Sequence, residues 1–202
     1  MQDPKTRIRT LDELKSRERN FLEITDILEK NNIFFFLQAG VVLGARRENY
    51  FIKWDWDVEI GMFDKDFIKH FDLIESELTK RNYTIFHAVK NSIDGKIDAF
   101  KEYDQNSTTF EILAWRHNWF KKCYHRWNIN IPDKFFKEKH KINFLGREFN
   151  CPGPVDEYLT YQYGNWKEPK ISSNKSEYLT GKFFQGKNTI FKTMGISNKS
   201  FK

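Results

Sequence analysis

The chain has 202 residues, and its 34 Lys and Arg exceed its 28 Asp and Glu to give a formal net charge of +6. With 39% hydrophobic and 17% aromatic residues it can bury a sizeable core, which excludes a disordered or low-complexity chain. The mild basic excess fits a phosphate-bearing partner without singling out nucleic acid, and only two cysteines, Cys123 and Cys151, exclude a disulfide framework or a CxxC zinc site.

Residues 1–10 are polar and read as an arm without the apolar stretch of a signal peptide. Leu11, Leu14, Phe21, Ile24, Ile27 and Leu28 fall near helical spacing, which predicts an amphipathic helix over Leu11–Lys30. The apolar run 33–37 predicts a buried strand, 41–47 a short helix and 51–62 a second strand. Helical spacing returns over 65–81. Strands follow at 83–89, 96–103 and 109–115. Beyond Arg116 the pattern is broken by Pro132, Pro152, Pro154 and Pro169, with one short helix predicted at Val155–Tyr163. Residues 170–202, rich in Ser, Asn, Lys and Gly, read as a basic, loosely structured tail after a single domain spanning 11–169. No stretch reaches the length of an apolar membrane span.

The chemistry concentrates in Ile52-Lys-Trp-Asp-Trp-Asp-Val-Glu-Ile-Gly-Met62. On a strand, Asp55, Asp57 and Glu59 would share one face at roughly 7 Å spacing, with Trp54, Trp56, Val58 and Ile60 packing into the core behind them. Such a row repels itself unless solvated, paired with lysines, or bridged by a divalent cation. Asp98, alone in the apolar setting of Lys96-Ile-Asp-Ala-Phe100, is a candidate further acid on a neighbouring strand. Two acids on one strand with another nearby suit phosphoryl or nucleotidyl transfer.

These residues carry a resemblance. Gly40-Val-Val-Leu-Gly-Ala-Arg-Arg47, the acidic segment after it, Phe144-Leu-Gly-Arg-Glu-Phe149 and Tyr158-Leu-Thr-Tyr-Gln-Tyr-Gly-Asn-Trp166 occur in the order seen in the LicD family. That family includes bacterial phosphocholine transferases and the fukutin and fukutin-related proteins. The resemblance spans roughly residues 20–170. It implies an α+β fold, a nucleotidyltransferase-like mixed sheet flanked by helices with a C-terminal helical or irregular extension. It implies Mg²⁺-dependent transfer, with Mn²⁺ as a substitute, of a phosphorylated polyol, choline or sugar from a CDP-linked donor to a glycan hydroxyl. By motif position Asp55, Asp57, Glu59 and Asp98 would hold metal, and Asp55, Asp57 and Asp98 would be catalytic, Asp98 as ligand or base. Gly40, Val41, Gly44 and Arg47 would border the donor, with Arg47 near its phosphates and N–H groups after Gly40 able to bind phosphate. Val41 stands where the family usually has Thr or Ser, Glu59 where it has Asp, and Lys53 where Pro is common.

Two other readings share these residues: nucleotidyl transfer directly from a nucleoside triphosphate, or a non-catalytic glycan- or nucleic-acid-binding module. The latter would use the basic aromatic stretch 115–127, although Trp115, Trp119 and Trp127 read better as core or rim packing. No stable nucleic-acid partner is expected. A cytoplasmic enzyme, or a Golgi-lumenal one if this is an excised domain, would act on a glycan or lipid-linked glycan, with peripheral membrane contact compatible with the charge. Gly181-Lys-Phe-Phe-Gln-Gly-Lys187 lacks the Ser or Thr of a phosphate-binding loop and reads as a surface turn.

Overall fold

The computed structural model describes residues 5–103 and 108–184. The first helix, α1 (Leu11–Lys30), starts at a capping box in which Thr10 and Glu13 satisfy each other's backbone N–H groups. It buries Leu14, Phe21, Ile24 and Leu28, and with them Arg17. β1 is only Phe36–Leu37, shorter than the predicted strand, because the chain turns at Gln38 into α2 (Ala39–Arg47). β2 (Asp57–Phe63) leads into α3 (Asp64–Lys80), then the hairpin β3 (Thr84–Val89) and β4 (Lys96–Phe100), then β5 (Thr109–Asn118).

The sheet order is β1-β2-β5-β4-β3. The pair β2–β5 is parallel and the others are antiparallel, so the chain leaves β2 and returns beside it only after α3 and a hairpin. The parallel register sets Glu59 opposite Glu111, and the next ladder sets Glu111 opposite Asp98. Alternation turns Asp57 and Glu59 to one face, while Val58, Ile60 and Met62 are wholly buried on the other. The α+β class, a mixed sheet with flanking helices, is as the sequence predicts.

β2 begins later than predicted. The Asp55 N–H donates to Ile52 O at 3.1 Å, which makes residues 52–55 a turn. Trp54 and Trp56 are therefore only half buried and do not join the core face with Val58 and Ile60.

The irregular half contains two hairpins that the sequence pattern did not reveal. β6 (Cys123–Arg126) and β7 (Ile129–Pro132) extend the main sheet from β5. β8 (His140–Phe144) and β9 (Arg147–Cys151) turn tightly through Leu145 and Gly146, both at positive φ. The second hairpin presents Phe144 and Phe149 to the edge of Phe21 at 5.5 and 5.4 Å, sealing the core over α1. A further helix, α4 (Val155–Tyr163), follows as predicted, then a single turn, α5 (Lys175–Tyr178).

The described parts of both predicted ends, residues 5–10 and 170–184, reach the domain. The Arg9 N–H donates to Lys53 O at 2.8 Å, and Phe183 is buried. Residues 1–4, the tail beyond 184 and the end of the 181–187 segment lie outside the described residues. Of the three tryptophans expected to pack, Trp115 is in the core at 2% exposure, whereas Trp119 and Trp127 are 81% and 58% exposed. Cys123 and Cys151 are buried and unbridged.

Gly61 on β2 lies against the Phe36 ring, which a Cβ would meet at 2.2 Å. We expect Gly61→Ala to destabilise the fold by about 1–3 kcal/mol through this overpacking, measured by chemical denaturation. An unchanged midpoint would show that the ring yields freely.

Candidate active site

A cavity opens on the face of the sheet that carries Asp57, Glu59 and Glu111, and Asp55 lies at its edge on the preceding turn. Its walls come from distant parts of the chain: α2, the β2 entry, β5, β6, α4, and the segment 172–183, with Lys5 and Thr6 of the N-terminal arm. The tail predicted to be loose thus builds one wall.

Asp55 and Asp57 are close enough for their carboxyl groups to share a hydrogen bond. Burial raises the pKa of Asp55 against the pull of Arg17. Asp57 is held well above the usual carboxylate range by burial and then by Asp55, Glu59 and Glu111. Glu59 is pushed up to about 7 by burial and by Glu111, and Glu111 is raised by burial and by Asp98. The row therefore runs Asp55, Asp57, Glu59, Glu111, Asp98 across three strands and the turn before them.

The two ends of the row are treated differently. At the far end, Asp98 lies against Lys96 and 3.4 Å from His87 Nδ1, so basic side chains already attend it. Arg126, anchored to Asp94 O at 3.1 Å, lies beside Glu111, Glu59 and Asp98. Asp98 does not line the cavity, and Glu111 on the intervening strand does. The acid predicted to join the pair from a neighbouring strand is thus placed one strand too far, and Glu111 occupies the nearer position. At the near end, the cation that faces Asp57 from within the cavity is Lys175, which is exposed and forms no ion pair among the described residues.

Two neighbouring carboxyl groups at the near end fit the share that a protein supplies to a Mg²⁺ shell otherwise made of water and phosphate oxygen. Among the described residues no three His, Cys, Asp or Glu side chains converge on one point. The predicted set of Asp55, Asp57, Glu59 and Asp98 is therefore not gathered as a single cage, and the Asp55–Asp57 pair is the part that fits.

Gly40 explains how Asp55 is seated. A Cβ there would stand 2.1 Å from Asp55 Oδ2, so the carboxyl group occupies the space that glycine leaves at the start of α2. We expect Gly40→Ala to push this carboxyl aside, lowering turnover about 10²-fold while melting shifts little, because the displaced group is the end of one side chain. Wild-type turnover in a folded variant would refute this seating.

Of the other predicted donor residues, Arg47 lines the cavity, whereas Val41 and Gly44 do not. Val41 is buried in the core, and a Cβ on Gly44 would meet Tyr50 O at 2.5 Å, so both serve packing. The N–H groups of Val41 and Val42 donate to Gln38 O, and that of Ala39 to the Tyr158 hydroxyl, so these donors are engaged within the protein. Arg47 donates from Nε to Glu48 and from Nη1 to Trp166 O at 3.1 Å, which leaves its buried Nη2 without a partner. These bonds also show why motifs more than a hundred residues apart occur together: Tyr158 and Trp166 hold the two ends of α2.

Comparison with known proteins agrees with this architecture. The sequence model of the LicD/FKTN/FKRP nucleotidyltransferase domain matches residues 32–154. An uncharacterized protein of Rickettsia typhi, RT0683, is 37% identical over 153 residues, covering 72% of this chain and 45% of that protein. Human ribitol 5-phosphate transferase FKRP is 22% identical over 155 residues, covering 70% of this chain and 30% of that protein. The chain thus spans less than half the length of these two relatives. Among solved structures, ANT(2")-Ia in complex with adenylyl-2"-tobramycin superposes with a TM-score of 0.47 at 12% identity, covering 71% of this chain and 74% of that one. With the family's domain matched over more than half its length, the chain belongs to the LicD/FKTN/FKRP nucleotidyltransferase-domain family.

Proposed function

We propose that this protein transfers a phosphorylated polyol, choline or sugar from a CDP-linked donor to a glycan hydroxyl, with release of CMP. The observation that carries the reading is that Asp55 and Asp57 line one cavity with Arg47, whose buried Nη2 has no hydrogen-bond partner among the described residues. A diphosphate meets both needs, because its oxygens complete a cation shell and accept from a guanidinium. The name of the human relative, a ribitol 5-phosphate transferase, points to the same class of reaction.

Asp55 and Asp57 would hold Mg²⁺, which when bound neutralises phosphate charge and favours displacement at phosphorus. Arg47 orients the donor phosphates from the α2 side. The attacking hydroxyl must lose its proton, and Glu59 and Glu111 are the cavity's acids placed to accept it. Burial and mutual repulsion keep their proton affinity high, as a general base near neutral pH requires. Asp98, outside the cavity, takes no part in this step. No helix among the described residues is long and apolar enough to cross a membrane. We propose a glycan or lipid-linked glycan as the acceptor.

The test is product mass after incubation with CDP-linked polyol, sugar and choline donors, and separately with CTP and ATP. CMP release from a CDP-linked donor that stops on chelation is the expected result. Pyrophosphate release from CTP or ATP with a nucleotidylated product would replace this reading with direct nucleotidyl transfer.

A further inference from the structure

We propose that Gln38 and Gln162 form a hydroxyl-reading subsite that selects a neutral, hydroxylated group on the donor and rejects a quaternary ammonium. The inference rests on the donor reading above and narrows it.

Gln38 and Gln162 line the cavity and are only 1% and 2% exposed. Both amide atoms of Gln38, and Oε1 of Gln162, have no hydrogen-bond partner among the described residues. Because both atoms of Gln38 are unpaired, exchanging its amide oxygen and nitrogen changes nothing. Gln38 precedes α2 yet makes no side-chain cap bond, so capping does not account for it. Buried amides without partners are costly to a fold. A ligand that brings donors and acceptors removes that cost, and a hydroxyl supplies both.

Position decides which part of the donor they meet. Gln38, Gln162, Gly40 and Asp55 line the same cavity, so a donor whose reacting phosphate sat at Asp55 would bring the group esterified to that phosphate into the cavity that the two amides line, with the cytidine on the other phosphate. The cavity holds about 210 Å³, below the roughly 300 Å³ at which pockets begin to enclose whole small-molecule ligands. It suits the reacting end of a nucleotide-linked compound.

Choline would leave the amides unpaired, since a trimethylammonium group neither donates nor accepts. Such groups are held by open aromatic faces. Three of the cavity's tryptophan faces carry the protein's own cations: Arg47 lies over Trp54 at 5.7 Å, Lys5 over Trp56 at 4.8 Å, and Arg46 over Trp166 at 5.8 Å, while Tyr163 and Tyr178 stack on each other with ring centres 6.4 Å apart.

The test is calorimetry with Mg²⁺ and three probes, CDP, CDP-glycerol and CDP-choline, on wild type, Gln38→Met and Gln162→Met. Wild type should bind CDP-glycerol about tenfold more tightly than CDP-choline, and each Met variant should lose about tenfold for CDP-glycerol with CDP unchanged. Without ligand, both variants should melt at or above the wild-type temperature, because an unsatisfied amide has been removed. Equal affinity of wild type for both donors, a glycerol preference that survives in the variants, or a lowered melting temperature would each overturn the subsite. If CDP itself fails to bind wild type, the donor reading falls and the subsite falls with it, a result distinct from binding without preference.

Discussion

Replacing Asp57 with Asn will abolish transfer, by about 10³-fold or more, while the unliganded protein becomes no less stable than wild type. The two effects have one cause. Asp57 is half-buried between Asp55 and Glu59, and all three are pushed towards the protonated form. Removing one charge relieves repulsion in the resting protein and deletes the oxygen that a cation needs. The same cause fixes a pH dependence. Glu59, raised to about 7, binds its proton more tightly when folded than when unfolded. Its contribution to stability is therefore complete below the unfolded value near 4.3 and is lost as pH rises through about 7. Metal-free protein should lose stability across that window. Mg²⁺ should raise the melting temperature more at the upper end than at the lower, since it competes with protons for the same oxygens. Thermal scans at several pH values, with Mg²⁺ or chelator, read both effects. A stability that climbs with pH in chelator would contradict the assignment, as would Asp57→Asn retaining turnover.

Arg17→Leu is expected to be the most damaging single change to the fold, costing about 3–5 kcal/mol. Arg17 is fully buried on α1 and donates from Nη2 to the Asp55 carbonyl at 2.7 Å. Burial lowers its pKa, and Asp55 and Asp57 pull it back up. Without it the turn that carries Asp55 loses its anchor, and the acid pair loses its charge balance from the core side. For a domain of this size that is a fall of about 10 °C in melting temperature. Combining Arg17→Leu with Asp57→Asn should recover part of the loss, because the two sites are coupled. Strict additivity would mean that Arg17 acts by packing alone.

The helices α1 and α3 are legible from their amphipathic faces, and α4 from its Pro-Gly-Pro entry. Strand order was not: nothing local in residues 96–118 says that β5 lies between β2 and β4. By sequence alone Asp98 therefore presents as the neighbouring acid. Glu111 carries the same signal, a lone acid in the apolar run Thr109-Phe-Glu-Ile-Leu-Ala-Trp115, and could have been weighed beside it. The Trp-Asp-Trp-Asp alternation read as strand, but a turn places Asp55 by glycine contact, which periodicity does not encode. Gln38 and Gln162 gave no signal, since neutral amides become informative only when their burial and missing partners are known. Of the residues named from the family motifs, Asp55, Asp57, Glu59, Gly40 and Arg47 line the cavity, whereas Val41 and Gly44 do not and are taken up in packing.

The cavity wall formed by residues 172–183 lies beyond the stretch that the family shares. The reacting acids and this wall are thus written in separate parts of the polypeptide, and a recombinant fragment trimmed at the shared boundary would keep its acids but leave the cavity open on that side.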